Sequence, residues 1–337
     1  ISQKLYSVHL SPPKRFSKMI TFVIKKKSVF LFPLIFISFM LISILLNRGL
    51  ITNTNDGFLN QIDAVSSGNE LGSLSLVHSI RYYLLYPFML FDNSIYQSFI
   101  FFLYVCPLFF CKSHSLKSFG IIFLVFSFFF SYRTVLVMLS IYILVSHIML
   151  FPRTKKIILY SALLSFLSTG CFLAYIIIYY SFKNKFVADK KKRKYLTVLV
   201  IILIFGMSGS LLHKFLFFSD PTNFGSANNV SIESLTKIDA SLLTSIFDNM
   251  TERSIVLQSI IDPEKISRLY PIFLEFIFII ISFFLRKDKI SIIFLALFII
   301  SGLMEGLMMY SLLPSALFLL LDSLKKKLRF TRARFST

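Results

Sequence analysis

Apolar residues in this chain do not alternate with polar ones, as a half-buried strand requires. They run on in long blocks separated by short charged stretches. The first block covers residues 29–46, and others follow at 95–111, 119–131, 134–151, 195–212, 269–285, 290–304 and 306–321. Blocks of this length and hydrophobicity predict membrane-crossing helices. The predicted fold is all-α, a polytopic integral membrane protein of about ten transmembrane or half-membrane helices with one large external loop.

Two stretches break the pattern. Residues 76–91, LVHSIRYYLLYPFMLF, are short for a crossing and carry His78, Arg81 and three tyrosines. His78, Arg81 and Tyr82 fall on one helix face at i, i+3 and i+4, which reads as a short or re-entrant helix lining a cavity near the outer face. The plainer account is an interfacial aromatic belt with a snorkelling arginine. Residues 157–182 also admit two readings. A single crossing would leave Lys183 and the Lys190–Lys194 cluster outside, against the positive-inside rule. Two short helices breaking near Gly170 return the chain to the cytoplasm and keep the charge pattern intact.

Charge then fixes the expected topology. The chain carries 36 Lys and Arg against 16 Asp and Glu, a net charge of +20. Loops 48–75 and 213–268 hold ten of the sixteen acids and only six of the thirty-six bases, so both are placed outside. Arg81 and Arg133 are placed at the membrane and the remaining twenty-eight bases fall inside, most of them flanking apolar blocks, which removes the case for nucleic acid as a partner. The expected organisation is a cytoplasmic basic N-terminus (1–28), an N-terminal membrane helix bundle (29–212) and a large periplasmic loop (213–268). C-terminal membrane helices (269–321) and a cytoplasmic basic tail (322–337) complete it. The first apolar run lacks a small-residue cleavage site, so no cleaved signal peptide is expected.

Composition excludes several classes. With 56% hydrophobic residues and 41 Phe in 337, a soluble domain has no place to hide its apolar surface. Cys106, Cys111 and Cys171 lie in apolar runs and suggest neither a disulfide framework nor a metal site. No Walker A sequence, GxSxG, HExxH or Asp-x-Asp occurs, so no cofactor or metal is expected. The sequons at Asn229 and Asn249 are of a kind that arises by chance.

The candidate chemistry lies in polar residues placed at or near the outer leaflet: Asp56, His78, Arg81, Arg133, His213, Glu252, Arg253, Arg268 and Glu305. Arg133 stands alone between two apolar runs in FGIIFLVFSFFFSYRTVLVMLSIYILVSHIMLF, residues 119–151. A guanidinium cannot be discharged there, and facing lipid it costs several kcal/mol. It therefore faces a protein interior or a water-filled cavity, or else sits at the external turn of a hairpin and snorkels. Several arginines on one cavity are suited to a pyrophosphate, whose oxygens match the guanidinium fork, and they stabilise it as a leaving group. A nearby acid or histidine serves to deprotonate a sugar hydroxyl. For Glu252, Arg253 and Arg268 the plainer account is a solvated loop surface. Glu275, inside an apolar block, reads as a buried structural partner rather than a base.

In order along the chain, these features resemble the O-antigen polymerase (Wzy) and EpsG-type family of surface-polysaccharide polymerases. The elements are an Asp-bearing external loop (TNTNDGFLNQ, 52–61), a short amphipathic segment (RYYLLYPFMLF, 81–91) and an Asn-started helix (NSIYQSFIFFLY, 93–104). An arginine after a Phe-rich run follows (SYRTVLVMLSIYIL, 131–144). The resemblance covers roughly residues 28–182 and, more loosely, the late large loop. Where EpsG-type members have an Arg-Gln pair this chain has Arg133-Thr134, and STGCF at 168–172 lacks their histidine. The resemblance implies an enzyme of a bacterial inner membrane that transfers a growing glycan from undecaprenyl pyrophosphate to an incoming lipid-linked repeat unit, without a cofactor. Arg133 and Arg81 would hold the donor pyrophosphate, assisted by Arg253 or Arg268. Asp56, His78 or Glu252 would be the base, and His213 and Glu305 would line the substrate site. The implied partners are the lipid-linked oligosaccharide, the bilayer and a chain-length regulator protein. A lipid-linked oligosaccharide flippase and a membrane acyltransferase remain as alternatives.

Overall fold

The computed structural model describes residues 31–47, 76–111, 114–150, 155–182, 269–304 and 310–335, with isolated positions between 194 and 201. Among the described residues the chain is all helical. The helices are α1 (Leu31–Leu45), α2 (Leu76–Met89), α3 (Ser94–Val105), α4 (His114–Phe126) and α5 (Tyr132–Leu150). They continue as α6 (Lys155–Ser165), α7 (Thr169–Ser181), α8 (Leu269–Arg286), α9 (Lys289–Met304) and α10 (Leu313–Phe335). Two of them, α5 and α8, are long and apolar enough to cross a membrane.

The core is built around α5. Its sequence is apolar on every side, and a helix of that kind is buried on every side; from Tyr132 to Val145 every residue is buried. α3 meets it through Phe101, stacked on Tyr132 at 4.6 Å. α4 meets it through Phe119, stacked on Tyr142 at 4.5 Å, and α10 sets Phe318 edge-on to the same ring at 5.5 Å. Such pairs contribute about 0.5–1.5 kcal/mol beyond the area they bury. The serines of α5 find local partners: Ser140 donates to Ser161 O on α6, and Ser146 to Ile143 O.

Local signals set the helix ends. Asn93 caps α3, its Oδ1 accepting from the amides of Ile95 and Tyr96. Pro107 then turns the chain through a short 3-10 segment at Cys106–Leu108. Ser131 caps α5, its Oγ accepting from Thr134 N at 3.2 Å. Lys287, at φ 50°, takes the left-handed conformation that ends α8. α1 lays Phe32, Phe36 and Phe39 against Phe102 of α3 at 5.0–6.0 Å.

The last apolar block and the basic residues after it share one helix: α10 begins at Leu313 and runs unbroken to Phe335, because Leu324, Lys325, Lys326, Lys327 and Leu328 are good helix formers and no glycine or proline follows Pro314, which sits in its first turn. Of the two placements open for Arg133, a protein interior and a hairpin turn with a snorkelling side chain, the structure gives the first: the turn occupies 127–131, and Arg133 is buried in the first turn of α5. The crossing expected at 195–212 and the loops 48–75 and 213–268 lie outside the described residues, apart from a few isolated positions near 197–201.

Candidate functional site

The site forms where 157–182 divides. α6 ends at Ser165, α7 begins at Thr169, and the chain is non-helical over Phe166, Leu167 and Ser168. Three successive amides, those of Phe166, Leu167 and Ser168, bond to carbonyls three residues back, which tightens the end of α6. Ser168 then takes an extended conformation, and its Oγ accepts from Cys171 N as the cap of α7. The break lies just before Gly170, as the second of the two readings of 157–182 has it.

A helix end of this kind leaves carbonyls without intrahelical partners, and two arginines supply them. Arg133, from the start of α5, donates through Nε to Leu167 O at 3.0 Å. Arg81, from the middle of α2, donates through Nε to Phe166 O at 3.4 Å and through Nη2 to Thr169 Oγ1 at 3.1 Å. Both are buried, Arg81 at 4% exposure and Arg133 at 6%. The guanidinium charge lies at the carboxyl end of α6, where the helix dipole favours a cation. The same break is the amino end of α7, where the dipole favours an anion. These three contacts are to neutral groups.

Packing holds the two arginines in register. Tyr132, next to Arg133, shares a hydrogen bond of 2.6 Å with Ser98 on α3. Tyr104 on α3 donates to Leu84 O on α2 at 2.6 Å, and Phe88 stacks on Tyr104 at 5.5 Å. Tyr160 on α6 in turn donates to Tyr104 O. Phe166 and Phe172 stack at 4.4 Å across the break and pack against Ile80 and Leu84 of α2. Four elements, α2, α3, α5 and the α6–α7 break, are thereby fixed to one another.

Of the residues singled out in the sequence, Arg81 and Arg133 come together. Arg81 does not snorkel, since its guanidinium is turned inward to the break. His78 lies on α2 three residues before Arg81, and its side chain is outside the described residues. Asp56, His213, Glu252, Arg253, Arg268 and Glu305 also lie outside them. Ser168, Thr169 and the carbonyls of Phe166 and Leu167 were not anticipated as site groups. The available signal was Ser-Thr before Gly170, a helix-start sequence. Among the described residues no group of three or more His, Cys, Asp or Glu side chains comes together. The chain matches no family model, no curated protein and no solved structure.

Proposed function

We propose that this chain is a polytopic protein of a bacterial inner membrane and an oligosaccharide repeat-unit polymerase. Membrane residence is supported by its exposed apolar surface. α1 turns out Leu31, Leu34 and Leu41, α8 turns out Phe273 and Phe284, and α9 turns out Ile292 and Ile299. Patches of this extent are not left to water. Five shorter apolar helices accompany the two long ones.

The observation that carries the glycan reading is the convergence of Arg81 and Arg133, from separate helices, on one helix break. In this reading the donor is a growing glycan on undecaprenyl pyrophosphate. The acceptor is the terminal sugar of a fresh lipid-linked repeat unit. A hydroxyl oxygen of the acceptor attacks the anomeric carbon of the donor and the bond to the pyrophosphate oxygen breaks. The hydroxyl proton passes to a base, for which Asp56, His78 and Glu252 stand as candidates. Undecaprenyl pyrophosphate departs with its charge held by the arginines and favoured by the dipole at the amino end of α7. Arg253 or Arg268, from the loop 213–268, would assist. The arginine charge supplies what a metal would otherwise do for the leaving group.

The test is a gel of surface glycan from a host lacking the gene and complemented with Arg133→Ala. The expected result is collapse of the ladder to a single repeat unit on the lipid anchor, with normal amounts of protein in the membrane. Wild-type glycan length in that variant would overturn the assignment. Loss of even the single repeat on deleting the gene would move the reading to a flippase. An unchanged ladder in the deletion strain would leave the acyltransferase.

A further inference from the structure

α8 buries one stripe, Ile272, Glu275, Ile279 and Ser282. Spacings of three, four and three residues define a single helix face, and α8 packs chiefly on α10, with α9 beside it. Glu275 is at 0% exposure, and neither Oε1 nor Oε2 has a hydrogen-bond partner among the described residues. Two buried hydroxyls of the same helices share this condition, Ser282 on the α8 stripe and Ser315 in the first turn of α10.

Among the described residues, the charged groups of α8, α9 and α10 other than Glu275 itself all lie toward the far end of α8. Arg286 is eleven residues on, about 16 Å along the axis, and it is engaged with Asp288 and Asp322. The charged residue of α9 is Lys289, at its first position. On α10 the first is Asp322, followed by Lys325, Lys326 and Lys327. An ionised carboxylate at Glu275 would lose its hydration and gain no compensating cation from these helices, whereas a carboxylic acid is merely polar. An ionisable side chain so placed in an apolar helix is costly to keep and is a marker of function.

We propose that Glu275 is a proton-binding site between α8 and α10, standing as a carboxylic acid and open to modification by an apolar carbodiimide. The reagent class follows from the surroundings. Leu274 and Phe276, on either side of Glu275, are exposed apolar residues, so a molecule dissolved in lipid comes within one residue of the acid. The acid O–H adds across a carbon–nitrogen double bond of the carbodiimide. The proton goes to nitrogen and the carboxyl oxygen bonds to the central carbon. The acyl group then moves from oxygen to nitrogen and leaves a stable N-acylurea. No atom departs and no oxidant is needed. The inference does not rest on the glycan chemistry.

The experiment treats the full chain in membranes with N,N′-dicyclohexylcarbodiimide and maps the adduct by mass spectrometry. The expected result is an N-acylurea on Glu275 with the lipid-soluble reagent, and none with a charged, water-soluble carbodiimide. Glu275→Gln, which keeps the shape of the neutral acid, should give no adduct and melt with the wild type. An unmodified Glu275 in the folded wild type would overturn the proposal. A Gln variant that melts far below the wild type would overturn it as well, since that marks a carboxylate held by a cation.

Discussion

Arg81 and Arg133 sit on different helices, yet both are anchored to one break: Arg81 to Phe166 O and Thr169 Oγ1, Arg133 to Leu167 O. Cations satisfy the open carboxyl end of α6 and, from the same position, charge the amino end of α7. One local feature thus explains why two arginines are buried.

Because the break is shared, the two arginines should be energetically coupled. Replacing either by alanine strands a buried carbonyl, a loss of about 1.5–3 kcal/mol for a bond from a charged donor. Once one is gone the break relaxes, and the second replacement should cost less, with a coupling of about 0.5–3 kcal/mol. Melting of the wild type, Arg81→Ala, Arg133→Ala and the double variant in one detergent checks this. Strictly additive losses would mean that each arginine holds its own part of the chain independently.

Ser168 separates folding from function. Ser168→Ala removes the cap of α7 and should cost about 1 kcal/mol. Ser168→Asp keeps an equally good cap and adds a carboxylate between the groups that Arg81 and Arg133 hold. The Asp variant should melt at or above the wild type and still give a collapsed glycan ladder, because the added charge occupies the anion position. An Asp variant with full-length glycan would show that the leaving group binds elsewhere.

Much of this arrangement is readable along the chain, for definite reasons. The cost of a lipid-facing guanidinium already keeps Arg133 from lipid, leaving a protein interior or a turn at the headgroups. The lysines that follow residue 182 favour a break near Gly170 over a single crossing, and it falls at residues 166–168. Asn93 before an apolar run announces the cap of α3. What cannot be read is pairing. Nothing local tells α2 that its arginine will meet a break 85 residues away, since such contacts depend on how helices stack. The partners are also backbone carbonyls, which have no residue signature. Glu275 illustrates the same limit: a lone acid in an apolar block predicts burial, and the expected partner is missing among the described residues.

Tyr132 tests how tightly α3 holds the arginine helix. Tyr132→Phe keeps the ring on Phe101 and removes the hydroxyl bonded to Ser98, which should cost about 1 kcal/mol. Tyr132→Leu also loses the stack and should cost roughly a further 0.5–1.5 kcal/mol. Equal melting of the Phe and Leu variants would show that the stack contributes nothing.

The opposite end of α8 should respond to acid. Arg286 bridges Asp288 and Asp322, with nitrogen–oxygen distances of 2.6 and 2.7 Å, and its Nη2 also reaches Met149 Sδ on α5 at 3.6 Å. Partial burial pushes the Asp288 carboxyl up. The hydroxyl and amide of Ser291 and the guanidinium of Arg286 outweigh that and hold it below its ordinary value of 3.8. A carboxyl depressed in the folded state adds stability that is full above its unfolded value and is lost as pH falls through the folded one. Asp288→Asn should therefore melt slightly below the wild type at neutral pH, by the modest amount expected of a partly exposed pair. The gap should close as pH is taken below the ordinary carboxylate value. Melting curves of both proteins across that range check the sign, and a gap that stays constant down to the acid limit would mean that Asp288 acts through packing and not through its charge.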